Sequence, residues 1–198
     1  MKNKIVIFLL GSLSFIVSQP MLRFSLLDYL NHNTTFILYY GLNPLLVGIL
    51  IAFSAGIFEE SFRFIFKKFL LRPSKTIMAQ PILFGLGHGL AEMVLILGPY
   101  ITEVPFSSLT IAIIERILSV ILHIGLTIIV WNGFQLNNKL KYLGIAILVH
   151  GMIDSLIPIL NLTKNGLILM ESSLVIIALF MVVYSYRSRK YYLKEEKK

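Results

Sequence analysis

The chain has 198 residues, 57% hydrophobic and 14% charged, with no cysteine and a mean hydropathy of +0.81. This is too apolar for a water-soluble domain, and the lack of cysteine removes disulfides, thiolate metal sites and a cysteine nucleophile. A net charge of +8 in a soluble protein would suggest nucleic acid, but here the charges lie between apolar segments, where they act as topology signals and make the lipid bilayer, not nucleic acid, the expected partner.

Six apolar stretches follow in chain order, most of them close to the roughly 20 residues that a spanning helix needs. The first, Ile5 to Pro20, begins with charge as a signal peptide does, but no small-x-small cleavage site follows, so a retained helix is expected. The second, Thr35 to Phe66, is too long for one perpendicular helix and too short for two. Asn43-Pro44 offers a break near its start, and the stretch reads as one long span continuing toward Leu71. This span carries Gly56-Ile57-Phe58-Glu59-Glu60-Ser61-Phe62-Arg63.

The third stretch, Thr76 to Leu97, carries Phe84-Gly85-Leu86-Gly87-His88-Gly89-Leu90-Ala91-Glu92. The fourth, Leu109 to Trp131, holds Glu115, Arg116 and His123, and the fifth, Tyr142 to Leu162, holds His150-Gly151-Met152-Ile153-Asp154. The sixth, Gly166 to Tyr186, leads into a basic tail over 187–198. Tyr100, Trp131 and Tyr142, near span ends, read as interfacial anchors, and His32 lies outside the spans without a role.

Lys and Arg fall mainly on one side of this division. The N-terminus, the 67–75 and 139–141 segments and the tail together carry 14, while the other side has only Arg23 and Lys164. The positive-inside rule then predicts an all-α bundle of about six spans with both termini cytoplasmic. Residues 1–198 read as a single integral membrane domain, multi-pass in a cell membrane and expected to be a prokaryotic plasma membrane.

A charge at the bilayer centre costs at least about 2.5 to 3.5 kcal/mol on insertion scales, so the many ionisable residues within these spans need partners or a task. Residues four apart share a helix face, which pairs Glu59 with Arg63, His88 with Glu92, and His150 with Asp154. At about 1.5 Å of rise per residue, Glu59, His88, His123 and His150 lie roughly 12 to 18 Å from the cytoplasmic ends of their spans, so four helices can place them in one site in that half. Nearby glycines, Gly56, Gly85, Gly87, Gly89 and Gly151, serve helix packing or substrate access about equally well.

Such a cluster can act as a water-activating centre. A Glu and a His sharing a water could deprotonate it for attack on a peptide carbonyl while a second His donates to the oxyanion. A metal reading is equally open, with His88, His123, His150 and Glu60 as a zinc shell, although no His-Glu-x-x-His occurs. Chains of Glu and His also make proton relays in carriers.

The order of these residues resembles the CPBP group, the CAAX-processing and bacteriocin-processing intramembrane proteases, through the Glu pair with a following Arg, Phe84-x-x-x-His88 and His150-x-x-x-Asp154. It is more similar to the YhfC-type intramembrane metalloprotease branch, in Gly56 to Arg63 and Gly85 to Glu92 followed by Glu115-Arg116, His123 and His150. The likeness covers about 55–158. It implies an intramembrane endopeptidase acting on a membrane-associated peptide, protein or prenyl-like C-terminal tail. Glu59 or Glu60 and His88 would activate water, His123 or His150 with Asp154 would polarise the scissile carbonyl or bind metal, and Arg63 would fix the glutamates. Glu92 and Glu115 would support the site. The broader group has three residues between its Glu pair and Arg, whereas only Ser61 and Phe62 intervene here, so the base could be either glutamate. The alternatives are a proton-coupled transporter and a non-catalytic immunity or scaffold protein of the same fold.

Overall fold

The computed structural model describes residues 3–72 and 75–193. It is an all-α membrane bundle whose six spans are Lys4–Asn31, Pro44–Leu71, Ala79–Tyr100, Phe106–Gln135, Lys139–Leu160 and Gly166–Tyr191. The helices are α1 (Lys4–Ile16), α2 (Phe24–Asn31), α3 (Thr34–Leu42), α4 (Pro44–Ile65), α5 (Ala79–Leu97), α6 (Phe106–Gln135), α7 (Lys139–Leu160) and α8 (Gly166–Ser188). The second stretch breaks at Asn43, with Pro44 at the first helical position where its missing N–H costs nothing. The span then runs to Leu71 as expected, and the residues before the break form the separate α3.

The first span is longer than the sequence suggests. Pro20 does not end it, because Val17–Arg23 is π-helical and the Phe24 amide reaches back five residues to the Gln19 carbonyl. Widening the turn accommodates a residue that has no N–H and whose ring would strike the carbonyl four back. The helix therefore continues through α2, and Arg23 lies inside the span, not in a loop.

Polarity is inverted relative to a soluble protein. Ile176, Leu179, Phe180 and Val183 of α8 face outward, whereas Glu59, Glu60, Arg63, Lys67, His88 and His150 are buried. Lipid on the outside and paired polar groups inside account for that pattern.

Glycines set the closest helix approaches. A Cβ on Gly11 would lie 2.0 Å from the Phe84 carbonyl oxygen, and one on Gly87 would lie 2.1 Å from that of Phe8, so α1 and α5 touch backbone to backbone. Ser12 Oγ donates across the seam to the Gly87 carbonyl at 2.9 Å. Gly85 and Gly89 seat α6 in the same way, and Gly56 seats α7. The glycines beside the ionisable cluster thus serve packing. Gly87→Ala is expected to lower the unfolding midpoint in detergent by the equivalent of about 1 to 3 kcal/mol, the usual cost of overpacking. Gly144→Ala, where an added Cβ would meet nothing within 4 Å among the described residues, should show no loss.

The two halves of the bundle differ. Toward the Lys/Arg-rich end the interior is solid, with Phe66, Phe84, Leu126, Val130, Trp131 and Phe134 in one buried cluster. Trp131 is fully buried beneath Lys67, whose Nζ sits 4.3 Å from the ring centroid, so it is a core residue and not an interfacial anchor. Toward the other end the helices separate around a cavity.

Candidate active site

The ionisable cluster lies where the packed half meets the hollow one. Spacings of three and four residues on α4 put Glu59, Glu60 and Arg63 on one inward face. Arg63 Nη2 donates to Glu59 Oε2 at 3.1 Å, and Arg63 Nη1 lies 3.0 Å from Glu60 Oε1. The same Nη2 donates to His123 Nδ1 on α6 at 2.7 Å. One guanidinium therefore ties two buried carboxylates to a second helix.

Around Glu59 the other groups close in. His88 Nε2 from α5 lies 2.8 Å from Glu59 Oε2, and His123 Nδ1 lies 3.7 Å from the same oxygen. Gln19 Nε2 donates to Glu59 Oε1. Arg23 Nη1 in turn donates to Gln19 Oε1 at 2.9 Å, while its other nitrogens hold Ser54 Oγ and the Ile51 carbonyl, each at 2.8 Å. On the far side His150 of α7 places Nδ1 2.7 Å from Glu60 Oε1 and Nε2 3.5 Å from Asp154 Oδ2. The His88, His123 and His150 rings follow one another at centroid spacings of 5.1 and 5.7 Å.

Three predicted pairings are resolved. Glu59 with Arg63 and His150 with Asp154 form as the helix spacing suggests. His88 with Glu92 does not. His88 faces α1 and α4, where Ser14 and Glu59 occupy its two nitrogens, while Glu92 faces α6 and accepts from His123 Nε2 and from Arg116 Nη1 at 2.9 Å. Glu115 pairs with Arg116 and stands further out.

Proton bookkeeping constrains the imidazoles. Ser14 Oγ donates its one hydrogen to the Gly11 carbonyl at 2.7 Å, so at 3.0 Å it can only accept from His88 Nδ1. His88 Nε2 then faces the Glu59 carboxylate at 2.8 Å, a contact that requires a positive centre between the two atoms, whether a proton or a metal ion. Arg63 has only donors, so His123 Nδ1 accepts and its proton sits on Nε2, directed at Glu92.

The donor chemistry fits a metal. Glu59, His88 and His123 bring one ligand atom each within 4.8 Å of one another, and so do Glu59, Glu60 and His150. Among the described residues, the shell expected from sequence, His88, His123, His150 and Glu60, does not close as one group; Glu59 is the residue common to both. Among the described residues, buried Glu60 Oε2 has no hydrogen-bond partner.

A cavity of about 600 Å³ opens from this floor. Glu59, His123, His150 and Asp154 reach it, whereas Glu60 is enclosed. Gln19, Arg23 and Glu171 also line it and were missed in the sequence. The signal for the first two was Gln19 and Arg23 standing four apart in an apolar run, hidden by reading Pro20 as its end.

The family model described as YhfC intramembrane metalloprotease matches residues 1–101 and 97–182. No curated protein and no solved structure matches the chain.

Proposed function

The chain belongs to the YhfC intramembrane metalloprotease family, and we propose that it is an intramembrane endopeptidase that hydrolyses a peptide bond of a membrane-associated polypeptide at Glu59. The observation that carries this reading is the position of Glu59. It is the carboxylate shared by both donor groups and the one of the adjacent glutamates that reaches the cavity.

Glu59 and the Nε2 of His88 would hold a divalent cation such as zinc, and His123 would join them only where its Nδ1 exchanges the Arg63 guanidinium for the ion. Held there, it would supply Lewis-acid polarisation of a carbonyl and a more acidic water. The protein's own groups divide the remaining work. Gln19 and Arg63 grip the two oxygens of Glu59 and fix the carboxylate plane against a water in the cavity. Ser14 fixes the tautomer of His88, and Glu60 orients the His150 ring through Nδ1. With Nδ1–H directed at Glu60, His150 would donate to a developing oxyanion from Nε2, beside Asp154 on the cavity wall, when the ring carries both protons.

A proton-coupled carrier would need a polar route through the other half, where Phe66, Phe84, Leu126, Val130 and Trp131 pack among the buried Lys67, Thr127, Asn132 and Gln135, and the flux measurement below decides between the two readings. A cell membrane crossed several times, with both termini in the cytoplasm, is the setting we infer from the charge distribution.

The test is to purify the protein, measure its metal content, and assay cleavage of tagged membrane-spanning peptides with and without chelator. We expect one bound divalent ion, cleavage lost on chelation, and recovery on adding the ion back. Cleavage that persists after complete metal removal would sink the metal mechanism, and pH-dependent flux without cleavage in proteoliposomes would replace the reading with a carrier.

A further inference from the structure

The cavity has a direction. On α4 its lining residues run from Gly48 to Glu59, on α5 from Glu92 to Ile96, and on α7 from His150 to Pro158, with Asn161 just past the helix end. Each range extends from the cluster toward the same end of the bundle, where the 101–105 and 161–165 connections lie. That end is the one poor in Lys and Arg. In the opposite direction, from Glu59 toward Leu71 and from His123 toward Gln135, the interior is closed by the Trp131 cluster.

The walls show what fills the space. Glu59, Glu92, Glu115, Asp154 and Glu171 line it together with Arg23 and Arg116, interspersed with apolar side chains such as Phe24, Leu95 and Leu174. Five carboxylates and two guanidinium groups do not face acyl chains, because each would cost several kcal/mol there. Walls of this polarity, in which Arg116 is paired with Glu92 and Glu115, suit water, which a hydrolytic site needs. Its charge is net acidic, opposite in sign to the chain's +8.

We propose that this cleft is a water-filled entry reaching Glu59 from the extracytoplasmic face, and that the scissile segment is a polypeptide stretch presented from that side of the membrane. The term scissile rests on the peptidase reading; the side of access does not. It follows that a lipid-modified tail presented from the cytoplasm is not the substrate class.

The natural absence of cysteine makes the test direct. Single cysteines are placed at Ser119, on the cavity wall, at Asn161, on its rim, and at Asn138, in the connection at the Lys/Arg-rich end. Intact cells and inverted vesicles carrying the full-length protein are treated with a membrane-impermeant sulfonated maleimide. Ser119→Cys and Asn161→Cys are expected to label in intact cells, and Asn138→Cys only in inverted vesicles. Labelling of Ser119→Cys from the side that labels Asn138→Cys would overturn the proposal. So would a Ser119→Cys that labels from neither side yet reacts after denaturation, since no aqueous cleft would then exist. Reaction of Asn161→Cys from the cytoplasmic side would overturn the assigned face. None of these outcomes depends on cleavage, so inactive protein with outward labelling would count against the peptidase reading alone.

Discussion

Glu59→Gln is expected to reduce peptide cleavage by roughly 10²–10⁴-fold while the protein remains inserted and folded. The substitution conserves volume and keeps one oxygen, enough for either Arg63 or Gln19, which grip different oxygens of Glu59, and it removes the negative charge that His88 Nε2 faces at 2.8 Å. It takes out the residue common to both donor groups, so metal content should fall in parallel. Glu60→Gln is the informative comparison. Glu60 is enclosed and reaches the cavity only through His150, so the larger part of its loss should be in kcat, with metal retained. Activity would be measured on a tagged membrane peptide, metal by elemental analysis, and folding by the elution profile in mild detergent. Full cleavage by Glu59→Gln would remove Glu59 from the mechanism.

The membrane character, the six spans and most of the cluster were legible in the sequence because lipid leaves few ways to place a charge. Glu59, Arg63, His88, His123 and His150 stood out as costly residues, and a constant rise per residue gave them similar depth before any contact was known. What was not legible depended on azimuth and on local backbone. Helical spacing allowed Glu92 to face either His88 or a neighbouring helix, and the approach of α6 directed it to His123 and Arg116. Trp131 looked like an anchor by its position near a span end, but α6 continues to Gln135 and carries it into the core. Pro20 looked like a stop, and only the π-helical turn shows how the chain passes it to bring Gln19 and Arg23 to the site. The direction of the cleft could not be read at all, since it depends on which half of the interior large side chains fill.

The second large effect concerns stability. Arg63 is fully buried and is the guanidinium that Glu59 and Glu60 share, so Arg63→Met would leave Glu60 in a closed interior, and Glu59 on the cavity floor, without it. Removing one partner of a buried ion pair costs about 3–5 kcal/mol, most of it from the stranded charge and not from the lost attraction. Arg63→Met should therefore unfold at a markedly lower temperature in detergent than the parent, and Arg63→Lys should fall between them. A lysine offers one point charge where the fork now meets Glu59, Glu60 and His123 together. Adding Glu60→Gln to Arg63→Met removes one stranded charge, so the double variant should be more stable than Arg63→Met alone even though it has lost one more polar contact. That reversal distinguishes charge compensation from simple packing. If Arg63→Met melted with the parent, the arginine would not be neutralising the glutamates, and the charge balance of the site would have to come from elsewhere in the cluster.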